Sequence, residues 1–361
     1  MPELPDIWPE IRVHVCNEEK MQPGPTLINF CNHWKGVPLT AAVIDAHGET
    51  LWFYQREARH ERWGQRHHAA DLRGDIDVRT TERGVLVCGT NIGDGVGEVM
   101  PFEVDWEGEE VWEGLMINHH HIHKTPDGHY MFLTTDVRYC EEFGRELCGD
   151  QIVEWDPATN RIVWNWHLFD HHRPEVDRWD YSHSNTIEPD FRDDSLYLSC
   201  RNMNSVLKID RASGEILWRL GENGDFQLDA ADRFYHQHSP ELQPNGNLLI
   251  YDNGTGRLEE VGGEYSRAVE LEMDEDSMTA RAVWSWRHDP DLYTPIWGDA
   301  DRLPNDNTLI VFGTRTEGET THYVEVTPEG EVVWEVELLP SGWGTYRAER
   351  IMRETPDFAS L

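Results

Sequence analysis

Residues 180–221, DYSHSNTIEPDFRDDSLYLSCRNMNSVLKIDRASGEILWRLG, hold one complete structural unit together with the densest chemistry of the chain. His183 and Asn185 open a first strand, which Pro189-Asp190 and Asp193-Asp194 turn. Leu196–Cys200 returns as a second strand ending at Arg201, and Val206–Ile209 and Ile216–Trp218 supply a third and a fourth. Antiparallel neighbours put the end of the second strand beside the start of the first. His183, Asn185 and Arg201 are therefore expected at one rim, although Arg201 is 18 residues from His183.

The outer half of this unit recurs. It reads AAVIDAHGETLWFY (41–54), MPFEVDWEGEEVWEG (100–114), QIVEWDPATNRIVWNW (151–166), VLKIDRASGEILWRLG (206–221), AVELEMDEDSMTARAVWSW (268–286) and YVEVTPEGEVVWEV (323–336). The tryptophans Trp52, Trp112, Trp164, Trp218, Trp284 and Trp334 mark it at spacings of 60, 52, 54, 66 and 50. Short strands at such a period are the mark of propeller blades. The expected fold is all-β, a six-bladed β-propeller of four-stranded antiparallel blades around a central channel, with each Trp packing blade against blade. The propeller is expected over 24–351 as a single domain, with 1–23 an N-terminal arm and 352–361 a C-terminal tail. GPTLINF (24–30) and YRAERI (346–351) flank the repeats, and either can supply a strand to a shared blade.

The inner half repeats more quietly. His120, His183, His238 and Gly298 each stand six residues before a proline, in Pro126-Asp127, Pro189-Asp190, Pro244-Asn245 and Pro304-Asn305. These are turn signals closing the first hairpin of a blade, so the four positions are equivalent and are expected to ring the channel mouth. With 19 His in 361 residues, three imidazoles at four equivalent positions is not a chance pattern. His67, His68, His119, His121, His123 and His236 crowd the same edge. Taken singly each is better read as structural, and strand alternation turns His121 toward a neighbouring blade. His129, His167, His171 and His172 fall in turns and loops and receive no role.

The formal net charge of -37, with only four Lys (20, 35, 124 and 208) among 31 basic residues, argues against nucleic acid and anionic membranes as partners. It equally repels a free anion, so an anion site needs local basic groups. No basic stretch followed by an apolar run opens the chain, and no segment reaches 18 apolar residues; a cytoplasmic location is expected. The six Cys show no metal-like spacing. Cys140 and Cys148 could pair across a loop, but free thiols are the expectation.

Imidazoles from separate blades, an Asn and an Arg at one rim make a pocket for a tetrahedral oxyanion, since guanidinium presents a fork of donors matching sulfate or phosphate. A neutral imidazole there can also act as nucleophile. On these residues the chain resembles the aryl-sulfate sulfotransferase family, six-bladed propellers that move sulfate between phenols without the nucleotide donor PAPS. The resemblance spans about residues 24–351 and is carried by DYSHSNTI with SCRNMNSVLKID, FYHQHSPELQPNGNLLIYDNG (234–254), SRAVELE (266–272) and the closing YRAERI. It implies that His238 becomes sulfated, that His183, His120 and Arg201 complete the catalytic set, and that Asn185, Arg201 and His120 bind the substrate, with no cofactor and a small aromatic or anionic substrate as partner. The characterised members are exported and carry an extra N-terminal β-domain, neither of which is visible here. The residues leave two other readings open: an enzyme with Fe, Cu or Mn on His120, His183 and His238, plus His68 or His123, or a non-catalytic ligand-binding propeller.

Overall fold

The computed structural model describes residues 3–32, 37–56, 76–89, 101–114, 116, 118–313, 318–353, 355–356 and 358. His67 and His68 lie outside these. The described residues form six antiparallel sheets, the blades of a six-bladed β-propeller.

The first blade contains β2 (Thr26–Asn32), β3 (Val37–Ile44) and β4 (Thr50–Gln55), and the second β5 (Ile76–Thr80), β6 (Gly84–Gly89), β7 (Phe102–Asp105) and β8 (Glu110–Glu113). The third runs β9 (His119–Lys124), β10 (Tyr130–Cys140), β11 (Arg145–Asp156) and β12 (Arg161–His167), and the fourth β13 (Ser184–Asp190), β14 (Ser195–Cys200), β15 (Ser205–Asp210) and β16 (Ile216–Gly221). In the fifth, β18 (His238–Leu242), β19 (Leu248–Asp252), β20 (Arg267–Asp274) and β21 (Thr279–Trp286) gain the short parallel strand β17 (Gln227–Leu228) at the outer edge. The sixth blade is β22 (Asp299–Arg302), β23 (Thr308–Phe312), β24 (Thr321–Val326) and β25 (Val332–Leu339), extended by β1 (Glu10–Cys16). β26 (Ala348–Arg350) pairs with β2 and completes the first blade. Both segments flanking the repeats thus contribute to one sheet.

The chain divides into two compact units of three blades each: Met1–Ile117 with Ile296–Leu361, and Asn118–Pro295. In the first unit, Leu27, Val43, Trp52, Val87 and Phe102 form a core between blades one and two, and Ile28, Phe30, Trp334, Val336 and Trp343 one between blades one and six. In the second, Met131, Leu133, Ile152, Ile187 and Leu198 lie between blades three and four, and Val206, Trp218, Leu248, Ile250 and Val269 between blades four and five. Strands sandwiched on both faces are buried along their whole length, as in SLYLSC of β14, whereas the outer β21 alternates with solvent.

Each outer hairpin is built alike. Asp45, Asp105, Asp156, Asp210 and Asp274 accept backbone N–H groups from the turn that follows them, and Thr327 does so in the sixth blade. The turn then needs one left-handed residue. Gly48, Gly108, Asn160, Gly214, Met278 and Gly330 occupy that position, with φ from +50° to +87°. The six repeat tryptophans all sit in outer strands. Within the units, Trp52 Nε1 donates to Trp106 O (2.9 Å), Trp164 Nε1 to Arg211 O (3.1 Å) and Trp334 Nε1 to Ala46 O (2.9 Å), each reaching the outer turn of the next blade.

Residues 10–16, expected in an arm, pair with β25 instead, because alternating Ile11, Val13 and Val15 give them an apolar face for the blade. In the expected tail, Phe358 packs edge-on against Trp106. All six cysteines are free thiols; the β10–β11 register sets Cys140 opposite Arg145 and Cys148 opposite Val137. Trp297 and Trp343 are buried within their unit, Trp343 edge-on to Phe30.

Candidate active site

The unit Asn118–Pro295 brings together every described member of the expected catalytic set. The β13–β14 register pairs Ser184 with Cys200, and the Arg201 N–H donates to the His183 carbonyl (3.2 Å), so Arg201 returns to the start of the first strand as expected. The backbone there is strained: His120 (φ +58°), His183 (φ +48°) and Ser239 (φ +48°) are left-handed, a conformation that non-glycine residues retain chiefly where the fold enforces it at functional positions.

His120 and His183 pack edge to face with ring centroids 4.7 Å apart. The two rings have different supports. His183 Nδ1 donates to the Asp180 carboxylate, which fixes its N–H there and leaves the lone pair on Nε2. His120 is fully buried, and burial first, then the neighbouring His183, His119 and His238 rings and Arg201, hold it well below the ordinary imidazole range. It is therefore neutral at physiological pH.

His238 opens β18, and its Nδ1 lies 2.7 Å from Asn253 Oδ1. The Asn253 amide is not free to flip, because Nδ2 donates to Thr294 O (2.7 Å). Its oxygen must face the imidazole, so His238 carries its proton on Nδ1 and its lone pair on Nε2. Gly254 makes this possible: at φ +73°, with Tyr265 O 1.9 Å from where a Cβ would stand, it turns the chain directly after Asn253. Asn185 is fully buried, and its Nδ2 donates to Gln237 O (2.8 Å), tying β13 to the residue before His238. The Arg201 guanidinium is pinned by Pro295 O (3.0 Å) and Asn202 Oδ1 (3.1 Å).

His236 joins the set. Burial, then Arg201, Arg178 and His183, lower it to about 3, and its Nδ1 is buried without a hydrogen-bond partner. A guanidinium beside neutral imidazoles gives an anion-attracting site in a strongly acidic chain. Asp180 and Asn253 were not singled out from the sequence; Asp180 at three residues before His183 is a signal for a carboxylate–imidazole pair, while Asn253 becomes a partner of His238 only through sheet pairing.

The other expected residues separate. His121 Nδ1 accepts the Ile187 N–H (3.0 Å) across the blade interface, as strand alternation implied. His123 packs against Phe191 at the opposite end of β9, with ring centroids 6.0 Å apart, and so is not brought to the candidate metal set. Bonds in the β9 ladder run His119↔Leu133 and His123↔Met131, which places the two histidines at opposite ends of the strand. Gly298, the fourth equivalent position, is left-handed (φ +105°) and belongs to the other unit. His129, given no role, pairs with Glu154 at 2.8 Å.

The arylsulfotransferase (ASST) family model matches residues 13–339. Arylsulfate sulfotransferase AssT of Escherichia coli O6:H1 (strain CFT073) is 30% identical over 166 residues, covering 37% of this chain and 27% of that protein. AssT of Lelliottia amnigena is 27% identical over 165 residues, with the same coverage. The matched segment thus spans 27% of the length of either relative. Among solved structures, a protein of unknown function from Bacteroides caccae superposes with a TM-score of 0.53 at 13% identity, covering 88% of this chain and 94% of that one, a likeness of fold. With the family match extending from β1 to the end of β25, the chain belongs to the arylsulfotransferase family.

Proposed function

We propose that the chain transfers a sulfuryl group from a phenolic sulfate ester to a phenol through a sulfohistidine at His238, without PAPS. The observation that supports this best is the locked Thr294–Asn253–His238 chain, which fixes the Nδ1 proton of a buried imidazole and so assigns the attack to Nε2. Nε2 attacks sulfur, the bond from sulfur to the aryl oxygen breaks, and the phenolate leaves. Asn253 Oδ1 faces the Nδ1–H as the ring becomes positively charged. The second phenol attacks the same sulfur, loses its proton, and the bond from nitrogen to sulfur breaks, restoring neutral His238.

Arg201 meets the charge on the sulfuryl oxygens. His183, backed by Asp180, and His120 supply and remove the phenolic proton. His120 also lines the place where the sulfuryl group would sit. Asn185 contributes through its bond to Gln237 O, which holds β18 and therefore His238 in place. A transition metal on these histidines is less well supported. Among the described residues the group with three ligand atoms within 4.8 Å of one another is Cys16, Glu18 and His47, and Arg201 beside a cation is unfavourable.

The test is steady-state kinetics with p-nitrophenyl sulfate and phenol. The expected result is release of nitrophenolate with parallel double-reciprocal lines, and a loss of about 10³-fold or more in kcat for His238→Ala. Turnover by His238→Ala within tenfold of the wild type would overturn the assignment.

A further inference from the structure

Behind His120 stands a second chain of polar groups. His119 Nδ1 and His120 Nδ1 are 3.0 Å apart, and His119 Nε2 is 3.3 Å from Asp150 Oδ1. All three residues are buried. Asp150 Oδ2 also accepts from Ser182 Oγ (2.5 Å) and the Ser184 N–H (2.8 Å), the residues on either side of His183. One carboxylate from β11 thus faces the His119 ring of the third blade and holds the backbone on either side of His183 in the fourth.

The tautomers follow from these distances. An ionised carboxylate can only accept, so the proton of His119 faces Asp150 on Nε2. Neutral His119 then has its lone pair on Nδ1, and the short contact requires His120 to donate from its own Nδ1. The His120 lone pair is left on Nε2. Burial raises the Asp150 carboxyl, but hydrogen bonding and charge from His119, with the Ser182 and Ser184 donors, outweigh it and keep the carboxyl below its usual value, consistent with an ionised group.

We infer that Asp150 and His119 are positioning residues that present His120 as the base toward the acceptor phenol, and that they hold its proton between the two halves of the reaction. This rests on the sulfuryl-transfer reading above. When the acceptor attacks, its proton goes to His120 Nε2, the His120 Nδ1 proton passes to His119 Nδ1, and the resulting imidazolium lies against the Asp150 carboxylate. Charge leaves the neighbourhood of Arg201 and is neutralised one residue back. The device matters for phenol attack, which needs a base, and little for loss of p-nitrophenolate, a good leaving group.

Asp150→Asn is the decisive variant. The Ser182 and Ser184 donors keep an oxygen facing them, so the new amide N–H faces His119 Nε2 and reverses both tautomers, leaving His120 protonated on Nε2. ¹⁵N spectra of histidine-labelled protein report this without any turnover. The expected results are a His120 tautomer reversed relative to wild type, a nitrophenolate burst within about threefold of wild type, and transfer to phenol down about 100-fold. His119→Gln, whose amide oxygen can still accept from His120 Nδ1–H, should keep the wild-type tautomer and lose only about tenfold in transfer. An unreversed tautomer in Asp150→Asn, phenol transfer at the wild-type rate, or equal losses in both variants would overturn the inference. Should Asp150→Asn fail to fold, the His119→Gln tautomer and transfer rate decide alone. Absence of any burst in the wild type would instead remove the sulfuryl-transfer reading, while the spectra would still test the tautomers.

Discussion

In the unit Asn118–Pro295, His120, His183 and His238 stand at or next to the start of the first strands of their blades, with the Arg201 guanidinium nearby. In the other unit, strands at the same position in their sheets carry Asp77 and Arg79 on β5 and Asp299 on β22, with Arg347 leading into β26. There the charges answer one another. Arg347 Nε lies 3.4 Å from Asp77 Oδ1 and its Nη1 3.9 Å from Asp299 Oδ1, while Arg79 Nε is 3.8 Å from Asp77. Asp77, Asp299 and Arg347 are buried, and Glu349 is bound by the Thr80 N–H at 2.8 Å. One repeat therefore supports two solutions for polar groups at a buried edge. Mutual pairing of charges fixes a structure, whereas neutral rings with assigned tautomers leave lone pairs for chemistry.

Arg347→Leu attacks the charged edge and should have the largest effect on stability. It leaves Asp77 and Asp299 buried without their shared guanidinium, a loss of about 3–5 kcal/mol read by urea unfolding. A loss below about 1 kcal/mol would mean that the cluster is not held by its charges.

A smaller effect tests the neutrality of the other edge. His236 is lowered to about 3 by burial, then by Arg201, Arg178 and His183. In the unfolded chain it titrates near the ordinary value of about 6.5. Between these two values the unfolded chain binds a proton that the folded chain refuses, so this residue makes stability fall as pH drops from about 6.5 toward 3. His236→Gln removes that difference and should flatten the dependence of the urea midpoint on pH between 7 and 5. An unchanged slope would show that His236 titrates normally in the folded protein.

Much of this was legible because blades repeat. The six tryptophans located the outer strands, the proline turns located the first hairpins, and antiparallel pairing returned Arg201 to His183. What was not legible depended on contacts between strands distant in sequence. Asp150 lies in RELCGDQIVEWD, where nothing marks it, and it gains its role from β11 reaching His119 and Ser184. Asn253 was visible only as part of a family-like segment, since its bond to His238 joins the end of one strand to the start of its neighbour. The strand at residues 10–16 was missed because it pairs with β25, more than 300 residues later.

The sulfuryl acceptor can be identified by trapping it. Protein mixed with p-nitrophenyl sulfate in the absence of any phenol acceptor, quenched at alkaline pH and mapped by peptide mass spectrometry, should carry one sulfuryl group on the peptide containing His238. The group should disappear when phenol is added before the quench. A sulfuryl group on a different residue, or steady turnover with none on any peptide, would contradict the account.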